Sequence, residues 1–206
     1  MGTPIKPVKI DGRRQRSERT KQTIIEAYLA LLRVNPHVPT AVQIAERAGY
    51  SVRSIFERFP DLLALRIAAT DYAFAMGNAQ ATPGNLDADR ATRLRSQVET
   101  RAHTCEQWLP LWRAFNANQG DSEELKMRIR VAREMIMKRL ELMYQPELST
   151  LSEVERKRTL VALESLTDFE SWGRMRDLYG LSFEQACGLW IRAIDRLLPS
   201  TPSPRH

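Results

Sequence analysis

The chain has 206 residues, 43% of them hydrophobic and 27% charged, a balance that excludes disorder throughout and suits one helical domain with a small appended one. No apolar run reaches membrane-spanning length, the stretch from Met1 to Lys6 lacks a signal-peptide core, and Lys6 stands where a myristoylation signal wants Ser or Thr, so a cytoplasmic location is expected. The net charge is +6, and residues 1–66 hold all of it, with twelve Lys and Arg against six acids, as expected of a segment that faces a polyanion or of a solvated basic tail.

No alternating strand pattern and no internal repeat appears, so the spacing predicts an all-α fold of about nine helices, with prolines at the joints. A first helix over 19–33 carries the stripe Ile24, Ile25, Tyr28, Leu31 and Leu32. Thr40 with Gln43 forms a capping-box pattern that opens a second helix over 41–48, and Gly49 ends it. Ser51 caps a third over 52–58, with Val52, Ile55, Phe56 and Phe59 inward. Pro60 stops that helix, and Asp61 caps a fourth that reaches about residue 76. A fifth helix from about residue 87 buries Ala91, Leu94, Val98, Ala102 and Cys105. A sixth carries Trp108, Leu111, Trp112 and Phe115, and Pro110 either starts or kinks it. A seventh spans 122–144. Ser152 and Glu155 open an eighth that reaches residue 178, roughly 39 Å in all. The ninth, capped by Ser182 and Gln185, buries Phe183, Trp190 and Ile194.

Four segments follow: a basic flexible arm (1–18), a three-helix unit (19–66), a longer helical domain (67–199) and a flexible tail (200–206). The eighth helix has two apolar stripes, and only one can pack on its own core. The other, with the ninth helix, is expected to meet a second copy in a four-helix bundle through Val161, Trp172, Met175, Trp190 and Ile194, with Gly173 and Gly188 allowing close approach. Cys105 and Cys187 lie far apart without CxxC spacing and read as buried free thiols.

Two short helices around the turn Gly49-Tyr50 form a helix-turn-helix or an ordinary helical hairpin. As a helix-turn-helix, the third helix lies in the major groove with Tyr50, Arg53 and Ser54 at base edges. Thr40 and Ser51 stand at helix starts that face phosphate, and Arg58 adds a cation. Arg13, Arg14 and Arg16 in the arm are placed to reach the backbone or minor groove.

The wording of this segment goes further. Ile24-Ile25-Glu26-Ala27, the run from Thr40 to Ser51 and the run from Ile55 to Leu65 resemble the DNA-binding domain of the tetracycline-repressor-like (TetR) family of bacterial transcriptional regulators. The run from Trp172 to Arg176 and on to Gly180-Leu181-Ser182 resembles the last two helices of many members, and the resemblance implies DNA binding by 19–66 and ligand binding and dimerisation by 67–199. The resemblance implies a homodimeric repressor of a pseudo-palindromic operator, released by a small apolar or amphipathic effector in a pocket lined by Trp112, Phe115, Met135 and Trp172. It also marks two departures: Phe56 where the family has Tyr, and Leu62 where it has Lys, both phosphate contacts.

Two other readings remain at this point. One is a DNA binder without an effector, which a cavity too small for a molecule would favour. The other is a helical small-molecule-binding or enzymatic protein with a degenerate helix-turn-helix. The sequence offers no catalytic constellation, cofactor motif or metal spacing: His37, His103 and His206 have no suitably spaced partners.

Overall fold

In the computed structural model, which describes residues 12–81 and 84–202, the described residues are helical and contain no strand. Ten α-helices occur: α1 (Gly12–Val34), α2 (Ala41–Ala48), α3 (Val52–Phe56), α4 (Leu62–Gln80), α5 (Arg90–Asn118), α6 (Glu123–Met143), α7 (Gln145–Leu148), α8 (Glu153–Leu166), α9 (Phe169–Gly173) and α10 (Phe183–Leu197). A π-helical turn, Arg174–Leu178, continues α9. None of these helices is long and apolar enough to cross a membrane.

The first three helices and the start of α4 pack around Ile24, Leu32, Ile44, Ile55 and Leu65, all fully buried and contiguous with the core of the rest of the chain. Local chemistry sets their ends. Thr40 and Gln43 make the reciprocal capping box, Gly49 takes the left-handed conformation at φ 72°, and Ser51 accepts from the Ser54 backbone N–H. Asp61 accepts from the Ala64 N–H at 2.7 Å and starts α4. That helix runs unbroken into the second domain, where it packs on α5 and α6. At the junction Arg66 donates to the Asn118 carbonyl oxygen, and the Asn118 amide donates to that of Pro36.

The structure departs from the sequence-based expectation in four places. First, α1 begins at Gly12, so residues 12–18 of the expected arm are helical; residues 1–11 lie outside the described residues.

Second, the expected fifth and sixth helices are one, α5, with Pro110 inside it. An internal proline costs about 3 kcal/mol, but each large apolar side chain buried contributes about 1.5–3 kcal/mol. Around Pro110, Trp108, Leu109, Leu111, Trp112 and Phe115 are all buried, which outweighs the lost hydrogen bond.

Third, the expected long eighth helix breaks. Thr167 ends α8 with its hydroxyl on the Leu163 carbonyl (2.8 Å), and Asp168 caps α9 by accepting from the Glu170 N–H (2.7 Å).

Fourth, most residues expected at a partner surface pack inside the chain itself. Trp172 and Trp190 are 0% exposed and lie against each other with centroids 4.9 Å apart, and Met175 and Ile194 are buried too. The Trp172 Nε1–H donates to Glu106 of α5 at 2.5 Å. Gly173 also faces α5, where a Cβ would meet Leu109 at 3.0 Å. Of the five expected interface residues, Val161 alone is exposed, at 50%.

Both cysteines are buried free thiols, and burial pushes each thiol up to about 11.

Candidate functional site

The helix-turn-helix presents one open face. Arg53 projects from the first turn of α3 with its side chain 88% exposed, and its Nε donates to Glu57 at 3.0 Å. Hydrogen bonds from Arg53 come first in lowering the Glu57 carboxyl below its ordinary range. Tyr50, Thr40 and Ser51 are exposed too, and Ser54 is half-buried with its hydroxyl 3.0 Å from that of Ser51. Arg58 lies back along α3, where its Nη1 donates to the Ser54 carbonyl oxygen at 3.1 Å. Its Nε is buried without a protein partner among the described residues, so Arg58 is less free to reach outward than Arg53.

Phe56 differs from expectation. The sequence reading packs its ring inward, but the side chain is 44% exposed, because Ile55 and Phe59 already fill the core side of this short helix. Val42, Tyr50 and Leu63 are further exposed apolar side chains of the same small domain. Leu62 is half-buried at the first position of α4. Arg14 and Arg16 are exposed on the first turns of α1, and Arg16 donates from Nε to the Gly12 carbonyl oxygen at 3.1 Å. Arg13 shares those turns, with its side chain outside the described residues.

The second domain holds a cavity of about 50 Å³ between α4, α5, α6 and α9. Trp112 and Phe115 line it, together with Phe74, Trp108 and Phe169. Phe74 meets Phe115 edge-on at 5.5 Å, and Trp112 stacks on Phe169 at 4.7 Å. The other two expected residues do not line this cavity. Met135 is exposed on α6, and Trp172 borders an open cleft of about 680 Å³ beside α1 and α5.

Sequence reasoning missed the cavity's two arginines, Arg101 of α5 and Arg139 of α6. Arg101 is 7% exposed; its Nε donates to the Thr167 carbonyl oxygen at 2.9 Å, and its guanidinium lies 4.5 Å from the Phe169 ring centre. Arg139 donates to the Asn78 side-chain oxygen at 2.6 Å and the Ala81 carbonyl at 3.4 Å. Burial, then the charge of Arg101, holds the Arg139 guanidinium below its ordinary value.

These features define a two-part helical protein, with a helix-turn-helix at one end and an aromatic-lined cavity in the other part. The fold is that of TetR-family transcriptional regulators. The chain superposes on a TetR-family regulator from Streptomyces coelicolor with a TM-score of 0.73, at 16% identity, over 87% of this chain and 80% of that one. It is similar to NalD, the secondary repressor of the MexAB-OprM multidrug efflux pump in Pseudomonas aeruginosa, with a TM-score of 0.60 and 15% identity over 89% and 98% of the two chains. It is also similar to the multidrug binding protein EbrR, solved with imidazole, with a TM-score of 0.60 and 17% identity over 97% and 100%. No protein-family model and no curated protein matches the sequence.

Proposed function

We propose that the chain is a DNA-binding transcriptional regulator of the TetR family, acting as a homodimeric repressor of a pseudo-palindromic operator that a small molecule releases. The observation that carries this reading is the open face of α3. Arg53 stands fully outward on a capped, glycine-turned helix pair, in the third of the chain that holds the whole net charge of +6. Similarity in fold to NalD and EbrR supports it. So does α4, one continuous helix that starts next to α3 and lines the cavity with Phe74, Gly77 and Asn78. A ligand that favours one setting of α4 would alter how the two α3 helices meet DNA, provided it binds that setting better. Selection of bound DNA from a random pool with the purified chain tests the reading. A palindromic motif with half-sites about one turn apart, roughly 34–36 Å, is expected, and recovery of no motif would end it.

The cavity's size favours a second reading, a DNA binder with no effector, because about 50 Å³ is far below the roughly 300–1,000 Å³ of a drug-sized site. An effector must therefore be small or must displace side chains on entry.

Dimerisation finds support in exposed apolar side chains on two adjacent helices: Val154 and Val161 on α8, Leu189 and Leu197 on α10. Sedimentation at micromolar concentration is expected to give twice 23.7 kDa, and Val161→Glu is expected to shift the species toward monomer. A wild-type monomer would refute the homodimer.

The two departures from the family pattern are expected to be repairable. Leu62→Lys adds a cation at the start of α4 and should steepen the fall of log affinity with log salt by about 0.9. Phe56→Tyr places a hydroxyl on an already exposed ring and should tighten binding by roughly 0.5–1.5 kcal/mol without changing that slope. An unchanged slope for Leu62→Lys would show that this residue does not face phosphate.

A further inference from the structure

Two buried arginines of the second domain have opposite surroundings. Arg93 is closed off from solvent and paired in both directions with Glu147, Nη2 to Oε1 at 2.5 Å and Nη1 to Oε2 at 3.0 Å. Arg101, two turns further along the same helix, makes no ion pair among the described residues. It has one carbonyl oxygen, one aromatic face and a buried Nη2 with no protein partner. Arg139 lines the same cavity and likewise pairs with no carboxylate among the described residues; its two acceptors are neutral. Both arginines also border a second, smaller void of about 10 Å³ beside Ala81 and Leu140.

A buried charge is costly unless it is paired, and two like charges at one cavity raise that cost. A role for Arg101 in closing the end of α8 accounts for its Nε on the Thr167 carbonyl. It leaves the forked Nη face unexplained, along with the placing of a second guanidinium at the same cavity. A planar fork with a free edge matches a carboxylate, which accepts two parallel hydrogen bonds. The rings of Phe74, Trp108, Trp112, Phe115 and Phe169 supply apolar lining to the same cavity, and Phe169 is the ring in contact with the Arg101 guanidinium.

We propose that the cavity is an organic-anion site. Its ligand is a small carboxylic acid whose carboxylate sits between Arg101 and Arg139 and whose aromatic or branched body enters by displacing lining rings such as Phe74 and Phe169, because about 50 Å³ does not hold it otherwise. The inference deepens the effector reading above and rests on it. It sets this cavity apart from one built for organic cations, which would need carboxylates where these arginines stand.

The test uses the full chain without DNA. Thermal unfolding and tryptophan fluorescence are followed with benzoate, phenylacetate and 2-naphthoate, each against its own amide. At least one acid is expected to raise the unfolding temperature saturably, with its amide bound at least about tenfold more weakly, the cost of losing charge-assisted hydrogen bonds. Arg101→Met is expected to lose the acid response about tenfold or more while its unliganded unfolding temperature holds or rises, because an unpaired buried charge is gone. Arg139→Met should weaken the acids without affecting the amides. If Arg101→Met does not fold, the acid–amide comparison in the wild type and the Arg139→Met result decide the matter. Equal binding of acid and amide, or no response to any acid up to about 10 mM, overturns the proposal. The readouts separate the two readings. A chain that selects operator DNA and ignores acids loses only the anion site, and one that binds acids and selects no DNA loses only the regulator.

Discussion

Glu147→Gln is expected to destabilise the protein by about 3–5 kcal/mol, because it removes the counter-charge and leaves Arg93 buried without one. The substitution keeps the shape of the side chain, so the loss reports charge rather than a cavity. Glu147 is fully buried at α7, and besides Arg93 it accepts from the Thr201 hydroxyl at 2.5 Å. Arg93 also donates to the Met143 carbonyl oxygen at 2.8 Å. Nearby Arg90 bonds Asp195 at 2.9 Å and the Pro199 carbonyl oxygen. The network thus ties the start of α5 to α7 and to the segment after α10. Burial raises the Glu147 carboxyl, but hydrogen bonds from Arg93 and Thr201 prevail and hold it below its ordinary 4.5. A lowered folded-state value means the pair's contribution is complete above 4.5 and disappears as pH falls through the folded value. The stability gap between wild type and Glu147→Gln in urea should therefore close on acidification below 4.5. Replacing both partners, Arg93→Met with Glu147→Leu, should recover most of the loss. If Glu147→Gln costs under about 1 kcal/mol at neutral pH, the pair is solvated in solution and the network does not hold.

Where the chain carries its own punctuation, the sequence was readable. Thr40 with Gln43, Gly49, Ser51 and Asp61 each act through bonds to residues two to four positions away. The ends of α2 and the starts of α3 and α4 therefore follow from composition at fixed spacing. The exposed position of Arg53 follows from the same register. Features set by tertiary packing were not readable. Pro110 signals a helix boundary locally, and only the burial of α5 on several sides overrides it. Thr167-Asp168 is a stop-and-cap pair, but an apolar stripe continuing to Trp172 and Met175 masked the break.

The arginines were missed for a related reason. Arg93, Gln97, Arg101 and Thr104 recur at i, i+4, i+8 and i+11, which on a helix with one apolar stripe reads as a solvated face. On α5 the solvated face is instead the row Arg95, Glu99, His103, Glu106 and Arg113, and all four residues of the first row are buried. The polar stripe had a signal of its own: it runs along the helix that carries Trp108, Leu111, Trp112 and Phe115.

Arg53→Ala is expected to weaken operator binding by about 1–3 kcal/mol, the worth of one good bidentate contact with a guanine edge, and to change affinity for random DNA little. Removal of residues 1–16 should instead weaken both by similar factors, because arginines that meet phosphate carry no sequence information. The comparison is informative because Arg53 is not unpartnered in the free protein. Its Nε already donates to Glu57 one turn on, at the surface, so reading a base exchanges one charged acceptor for another. Glu57 is the competitor in that exchange and a negative charge facing a polyanion. Glu57→Gln should therefore raise affinity for operator and random DNA together, more steeply at low salt. The Arg53→Ala loss should persist in the Glu57→Gln background, because the base contact does not need the carboxylate. Binding titrations of the two single variants and the double variant on both DNAs provide the check. If Arg53→Ala weakens operator and random DNA by equal factors, Arg53 is a phosphate contact, and specificity must come from Tyr50, Ser54 or the exposed ring of Phe56.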